Sequence, residues 1–100
     1  MTFKEKVYEL LRTVPKGKVV TYGQLAKLAG SPKASRAVGM CMRNNPDAPR
    51  TPCHRVVASD GSLHGYSGGD GIPTKKKMLL EEGVIFKGEN VDLSQSQWKK

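Results

Sequence analysis

Apolar residues recur at intervals of three and four near the amino terminus, which is the spacing of one helical face. This spacing predicts a first helix over residues 2–14, ended by Pro15 and Gly17. The β-branched segment 18–21 then predicts an extended link or a small strand. The apolar positions of the helix are Phe3, Val7, Leu10, Leu11 and Val14.

Two shorter helical patterns follow, separated by a tight turn. Thr21 can cap the second helix, which ends near Gly30, and Pro32 opens a third helix that runs to about Asn44. Two short helices around a glycine-containing turn are typical of a helix-turn-helix, here over about residues 22–44, with the third helix as the recognition helix. The buried stripe of that helix is expected to be Ala34, Val38, Cys41 and Met42.

The second half of the chain alternates short extended and helical patterns. Residues 54–57 predict a strand that enters a turn at 59–62, and a glycine-rich loop covers 65–71. Residues 74–82 predict a helix ended by the next glycine, and residues 84–93 predict a terminal hairpin. The fold is therefore expected to be mainly α with minor β, and winged helix-turn-helix-like.

Composition and charge narrow the class of partner. With 37% apolar and 26% charged residues, the chain is expected to form one folded domain over residues 1–100. Seventeen Lys and Arg against nine Asp and Glu give a net charge of +8. This charge favours a polyanion such as nucleic acid, although a basic surface without a specific partner stays open. No segment has the apolar length of a signal or a membrane span, so a cytoplasmic protein with no membrane partner is expected.

The two cysteines, Cys41 and Cys53, do not make a disulfide framework, and reduced thiols are expected in a chain without a secretory signal. Together with His54 and His64 they would supply enough ligands for zinc, but no CxxC or HxxxH spacing arranges them. No metal site is therefore predicted, and each thiol needs its own explanation.

A thiol adjoins an imidazole at Cys53 and His54. A free thiol has a pKa of about 8.5, so a reactive cysteine needs a base or a positive charge, which His54 or Arg55 can supply. Neighbouring residues of a strand point to opposite faces, so this assistance requires the backbone to turn at Cys53. The dipeptide alone favours a plainer interpretation, a buried inert cysteine beside a hydrogen-bonded histidine.

Several short motifs follow one another along the chain: RAVG at 36–39, NNP at 44–46, PCHRVV at 52–57 and GYSGG at 65–69. Taken together they resemble the active-site domain of O6-alkylguanine-DNA alkyltransferases. The similarity covers almost the whole chain, and the combination is far more specific than any one motif. It outweighs the interpretation of the cysteine as inert.

The resemblance implies that Cys53 accepts the alkyl group. His54, through a water molecule, would be the base that takes the thiol proton, and Glu82, the acid that precedes a glycine, would orient the imidazole. Asn45 would brace the recognition helix against the active-site turn at 52–57, although an ordinary helix-end asparagine fits it equally well. The thioether is stable, so the protein would act once, and no cofactor is implied.

The resemblance also implies a partner, double-stranded DNA that contains O6-alkylguanine. Because the O6 substituent lies inside the duplex, the nucleotide must be flipped out to meet a thiolate. Arg36 would enter the base stack, although a phosphate contact explains its charge equally, and Tyr22 would turn the phosphate of the nucleotide. Ala37 and Gly39 would permit close approach to the minor groove, with Arg43 as a further DNA-binding residue.

A pocket for the flipped base is implied as well. The loop at 65–69 would hydrogen-bond the base at its O6 and its edge, where charge develops as the oxygen leaves. The lysines at 75–77 are expected to be solvated or to face phosphates rather than to serve the chemistry. The residues expected to line the pocket are Tyr22, Pro52, Val56, Tyr66 and Ser67.

The tail, with VDL at 91–93 and a late aromatic at Trp98, resembles that of the short alkyltransferase-like proteins. Those proteins typically carry Trp at the position of Cys53, recognise O6-alkylguanine without repairing it, and flag it for nucleotide excision repair proteins. Three functions stay open: a single-turnover alkyltransferase, favoured by the retained Cys, His and Glu; a lesion sensor; and a winged-helix regulator without lesion preference. His64 stands where the family commonly has a small residue, so its side chain can alter the pocket. A monomer is expected.

Overall fold

The computed structural model describes residues 2–46, 50–64 and 71–99. Helices dominate these ranges and the strands are two residues long, so the expected mainly α, minor β class is confirmed. None of the described helices is long and apolar enough to cross a bilayer. The predicted pocket residues Tyr66 and Ser67 lie outside the described residues. In chain order the elements are α1 Phe3–Arg12, β1 Val20–Thr21, α2 Tyr22–Leu28, α3 Ser35–Arg43, a 3₁₀ turn Cys53–Arg55, β2 Val56–Val57, α4 Ile72–Glu81, β3 Phe86–Lys87, β4 Asn90–Val91 and α5 Leu93–Ser96.

The helix-turn-helix is formed by α2 and α3. The hydroxyl of Thr21 accepts a hydrogen bond from Gln24 N at 3.0 Å in a capping box, so the predicted cap of α2 is confirmed. The third helix begins at Ser35, three residues after the predicted start. The reason is local, because the backbone from Ser31 first closes a turn in which Ala34 N donates to Ser31 O at 2.9 Å.

A two-stranded parallel sheet divides the interior into two apolar clusters. Val20 pairs with Val56, and both lie in the helical cluster formed with α1, α2 and α3. Val19 and Val57 lie instead in a second cluster with Leu79 of α4. Because alternate residues of an extended chain point to opposite faces, one strand register serves both clusters.

The carboxyl-terminal part contains α4, the predicted hairpin and a last short helix. α4 begins at Ile72, two residues before the predicted start, and is followed by Gly83, whose φ of +91° is one that L side chains rarely adopt. β3 and β4 pair antiparallel, which confirms the hairpin. The four-residue α5 was not predicted, because so short a segment shows no helical period.

The chain then returns to the helix-turn-helix. Trp98 N donates to Val19 O at 2.7 Å, and Gln24 Nε2 donates to Trp98 O at 2.6 Å. The side-chain oxygen of Gln24, Oε1, also accepts a hydrogen bond from Gln97 Nε2 at 3.0 Å. The last residues therefore fix the first turn of α2, where Tyr22 begins the helix.

Candidate active site and nucleic-acid interface

Cys53 begins the 3₁₀ turn that leads into β2. The strand predicted over 54–57 is therefore correct only for its second half. Arg55 N donates to Pro52 O at 2.9 Å, which closes the turn. The backbone thus turns at Cys53, as is required for this cysteine and His54 to act together.

Two side chains hold the segment that precedes the turn. Asn45, just past α3, donates from Nδ2 to Thr51 O at 2.8 Å, and Arg12 of α1 donates from Nε to Thr51 Oγ1 at 2.9 Å. Cys53 N donates to the same Thr51 carbonyl at 2.8 Å. The hydrogen bond of Asn45 joins the end of α3 to the segment before the turn, while its role in function stays a prediction.

His54, Glu82 and Arg55 form one hydrogen-bonded cluster between the turn and the end of α4. His54 Nε2 lies 3.0 Å from Glu82 Oε2. Arg55 binds the same carboxylate twice, from Nε to Oε1 at 2.9 Å and from Nη2 to Oε2 at 2.7 Å. Of the two adjacent acids at this helix end, Glu82 makes these contacts and Glu81 is exposed.

Burial and hydrogen bonding fix the protonation of this cluster. Burial lowers the pKa of His54 below its ordinary value, and the hydrogen bond and charge of Glu82 offset only part of that change. Burial would raise the pKa of Glu82, but the hydrogen bonds and charges of Arg55 and His54 outweigh it and lower the pKa. At neutral pH a neutral imidazole therefore faces a carboxylate. Nε2 carries the proton, and Nδ1 keeps a lone pair that can accept another.

Arg55 serves this carboxylate rather than the thiol. Its remaining nitrogen, Nη1, donates to Val14 O at 2.9 Å, so the guanidinium ties the turn to the end of α1 as well. The sequence indicated Arg55 as one of two groups able to assist Cys53. In the structure the positive charge of Arg55 is paired with Glu82, and the role of His54 toward the thiol stays a prediction.

Lys75 departs from the sequence-based expectation. The prediction of a solvated or phosphate-facing run at 75–77 is wrong for this residue, which is 1% exposed. Its Nζ donates to Val56 O at 2.6 Å and to His64 O at 2.8 Å, which replaces the hydration that burial removes. Burial lowers the pKa of Lys75 to about 8, although the electrostatic interaction with Cys53 acts in the opposite direction.

The buried ammonium gives a pH-dependent stability. The folded protein releases the Lys75 proton near pH 8, whereas the unfolded chain holds it until about pH 10.5, so this group adds stability as the pH rises between those values. Relative to Lys75→Met, the unfolding free energy of the unmodified protein should rise by about 2 kcal/mol from pH 7.5 to pH 9.5. Urea unfolding at the two pH values measures the change. Lys77→Met, at an exposed neighbour, is the matched control and should show no such difference.

A gap between Lys75→Met and the unmodified protein that stays constant over this pH range would contradict the burial of the ammonium. It would instead agree with the solvated position that the sequence indicated.

A groove of about 410 Å³ lies along α3 beside the start of α2. Tyr22, at its wall, donates from its hydroxyl to His64 O at 3.1 Å. Burial raises the pKa of Tyr22, and its electrostatic interaction with Cys53 acts in the same direction. Cys53 itself is buried and is not among the described residues that line the groove. The residues that line the groove are Tyr22, Ser35, Arg36, Gly39, Met40, Arg43 and His64.

Most residues predicted to contact DNA lie at this groove, and their roles stay predictions. Ala37 is exposed on the same helix, apart from the described lining residues. Pro52 and Val56, predicted to line the base pocket, are buried, and the Val56 side chain lies wholly within the helical cluster. Ser35 and Met40 also line the groove, and neither was predicted there. His64, which the resemblance indicated as able to alter the pocket, lies at the groove as well. For Met40 a signal was present, because it lies between Val38 and Cys41 but outside the predicted buried stripe of the helix.

The second thiol, that of Cys41, is part of the apolar core. Cys41 is buried in the helical cluster, and its carbonyl accepts a hydrogen bond from the Tyr8 hydroxyl at 2.6 Å. Burial raises the pKa of this thiol. Within residues 2–46, 50–64 and 71–99, no three His, Cys, Asp or Glu side chains are grouped so as to hold a metal ion.

Comparison with protein families decides the assignment. Residues 2–84 match the family described as 6-O-methylguanine DNA methyltransferase, DNA binding domain. The chain belongs to this family. The resemblance drawn from the motifs is therefore confirmed, and the hairpin and α5 of this family member lie beyond the matched part.

Relatives of this family domain differ in length. A methylated-DNA-protein-cysteine methyltransferase of Cricetulus griseus is 51% identical over 81 residues, which are 81% of this chain and 38% of the relative. A DNA base-flipping protein of Escherichia coli (strain K12) is 38% identical over 98 residues, 97% of this chain and 74% of that protein. The chain thus spans well under half the length of the first relative and most of the second.

The fold of the family is found in a crystal structure of S. pombe Atl1 in complex with damaged DNA containing O6-carboxymethylguanine. The TM-score is 0.86 at 34% sequence identity, with 98% of this chain and 95% of the other chain covered. The predicted helix-turn-helix arrangement of an alkyltransferase DNA-binding domain is therefore confirmed.

Proposed function

We propose that this domain binds duplex DNA, turns an O6-alkylguanine out of the helix, and transfers the alkyl group to Cys53. One observation carries the proposal. The backbone turns at Cys53, and the next residue, His54, is buried and neutral, with its Nε2 atom 3.0 Å from Glu82 Oε2. A neutral imidazole fixed by a carboxylate is the usual base for an active-site thiol.

The transfer step balances without a further reactant. His54 accepts the thiol proton through a water molecule, and the sulfur of Cys53 then attacks the alkyl carbon. The new bond is S–C and the bond that breaks is C–O6, whose electron pair stays with the guanine. The proton taken from the thiol returns to the departing guanine, and the imidazole is neutral again. The thioether is stable, so each protein molecule acts once.

The groove along α3 supplies the approach of DNA. Arg36 and Arg43 place two positive charges on its walls, within a chain of net charge +8. The sulfur of Cys53 is buried and cannot meet a base that is stacked in a duplex, so the nucleotide has to be extruded. The relatives named for base flipping and for damaged DNA support this step.

The test is mass spectrometry of the protein after incubation with a duplex that contains O6-methylguanine. We expect the peptide that contains Cys53 to gain one CH₂ unit, with no gain on the peptide that contains Cys41. Unmodified guanine should appear within the DNA in equal amount. Absence of the gain after prolonged incubation would exclude transfer.

A lesion sensor is the second candidate function, and the match beyond residue 84 favours it. The crystal structure of S. pombe Atl1 with damaged DNA matches 98% of this chain, including the hairpin and α5, whereas the match to the methyltransferase of C. griseus covers 81% of it. A sensor would retain the lesion duplex selectively without a mass gain and would pass it to nucleotide excision repair proteins. Equal retention of lesion and undamaged duplexes would leave only a DNA-binding regulator.

Replacement of Arg36 tests its entry into the base stack. Arg36→Ala should reduce retention of an O6-methylguanine duplex about tenfold more than retention of undamaged duplex, because the wedge is needed only when a base is extruded. Lys33→Ala, at an exposed neighbouring cation, is the matched control and should weaken both complexes alike. Gel-shift titrations measure both. If the two variants behave alike, Arg36 contacts phosphate only.

A further inference from the structure

A half-buried tryptophan lies where the end of the chain returns to α2. Trp98 packs against the helical cluster without being enclosed by it. Its main chain is held at both polar atoms, since its N–H donates to Val19 O at 2.7 Å and its carbonyl accepts from Gln24 Nε2 at 2.6 Å. The exposed part of the indole is therefore in place before a partner arrives, which lowers the entropy that binding would cost.

Two neighbouring surface hollows meet at this indole. The first, of about 440 Å³, lies beside α2 and includes Leu28 in its lining. The second, of about 380 Å³, lies beside the segment that follows α1 and includes Pro15. Trp98 lines both, so each hollow offers apolar contacts next to the same ring. Adjacent hollows of this kind can receive two side chains of one partner segment.

The charge around the hollows has one sign. Lys27 lines the first hollow, Lys18 the second and Lys99 both, and no Asp or Glu is among the described residues that line either. Lys27 and Lys99 are exposed, and Lys18 Nζ uses one of its three donors on Gln95 O at 3.1 Å. A surface with apolar contacts at its centre and positive charges around them is complementary to a negatively charged partner. The residues that form this Trp98 surface are Pro15, Lys18, Lys27, Leu28, Trp98 and Lys99.

The Trp98 surface and the groove use different faces of α2. Tyr22 lines the groove, whereas Lys27 and Leu28 line the first hollow. Because an α-helix turns by about 100° per residue, these two residues lie about 120° to 140° round the helix axis from Tyr22. A duplex seated against α3 would therefore leave the Trp98 surface open to a second partner.

We propose that the Trp98 surface binds an acidic segment of a partner protein while DNA occupies the groove. Carboxylates of the segment pair with the lysines, and its apolar side chains pack against the indole in the two hollows. A phosphate backbone would use the lysines but not the apolar contacts, and a second copy of a chain with net charge +8 would be repelled. Binding at this surface does not involve Cys53 and is independent of alkyl transfer.

The fluorescence of Trp98 tests the proposal directly, because the chain contains no other tryptophan. The probe is a short synthetic peptide of Asp, Glu and Leu, titrated into the protein with and without a bound undamaged duplex. We expect the emission to shift to shorter wavelength as the indole is covered. The affinity should be similar in both titrations, because charges more than about 8 Å apart are largely screened at physiological ionic strength. Peptides with Asn and Gln in place of the acids, or with Ser in place of Leu, should bind more weakly.

Two matched pairs of substitutions separate the local charge from the net charge. Lys27→Gln combined with Lys99→Gln should weaken binding of the acidic peptide about tenfold, since each change removes one exposed ion pair. Lys6→Gln combined with Lys87→Gln lowers the net charge equally at two exposed lysines outside the Trp98 surface, and should leave the affinity nearly unchanged.

The proposal is overturned if the acidic peptide leaves the emission unshifted, if the amide peptide binds equally well, or if both pairs of substitutions weaken binding alike. A shift caused by the duplex alone would also overturn it and would assign the surface to DNA. Displacement of the duplex by the peptide would place the acidic segment in the groove instead. A shift that grows with protein concentration without peptide would assign the surface to a second copy of the chain.

Discussion

Cys53→Ser should abolish alkyl transfer while the protein still binds the lesion duplex. A histidine alone does not deprotonate a serine hydroxyl to the extent that attack on an alkyl carbon requires. We therefore expect the transfer rate to fall by at least about 10³-fold. The geometry that holds the lesion is unchanged, because sulfur and oxygen occupy similar positions on the side chain. Transfer of a radiolabelled methyl group from DNA to protein measures the first effect, and gel shift measures the second.

The chain contains a matched control for this substitution. Cys41 is a second free thiol, and both cysteines are 8% exposed. Cys41→Ser should therefore destabilise the fold to a similar extent, since each change places a hydroxyl in the same apolar cluster, but it should leave transfer intact. If Cys53→Ser still removes the alkyl group, or if label appears on Cys41, the assignment of the acceptor is wrong.

The sequence predicts the helical part of the fold well because that part is encoded locally. The apolar period of α1 and the capping pair of Thr21 and Gln24 are both contained within a few consecutive residues. The start of α3 was placed too early because Pro32 is equally suited to a turn. The terminal hairpin was predicted for the same reason as α1, since alternation and a glycine turn lie side by side in the sequence.

The candidate site was predicted from motifs, and its supporting contacts were not, because they join distant segments. Arg55 reaches Glu82 across 27 residues and Val14 across 41. The sequence predicts a solvated Lys75, because it is one of three consecutive lysines. The one sign of its burial is its spacing of four residues from the buried Leu79. Its acceptors are backbone carbonyls, which every residue has, so no side-chain pattern could have indicated them.

Glu82→Gln should both destabilise the protein and slow transfer. The carboxylate accepts three hydrogen bonds, one from His54 and two from Arg55, and an amide has only one oxygen with which to accept them. Arg55 and Glu82 side chains are 15% and 12% exposed, so the substitution leaves a poorly hydrated guanidinium without its counter-charge, at a cost of about 3 kcal/mol at pH 7. Loss of the group that orients His54 should slow transfer about 100-fold.

The pH dependence of stability, and a control substitution at Glu89, make the prediction for Glu82→Gln specific to the cluster of His54, Arg55 and Glu82. Because the folded protein holds the pKa of Glu82 below 4.5, the carboxylate stabilises the fold above that pH, and its contribution is lost as the pH falls through the lowered folded value. The stability gap between Glu82→Gln and the unmodified protein should therefore shrink on acidification below pH 4.5. Glu89→Gln is the control, since Glu89 is 87% exposed and its pair with Lys76 is worth at most about 1 kcal/mol. Equal destabilisation by the two substitutions at pH 7 in urea unfolding would show that the carboxylate of Glu82 does not hold the active-site turn.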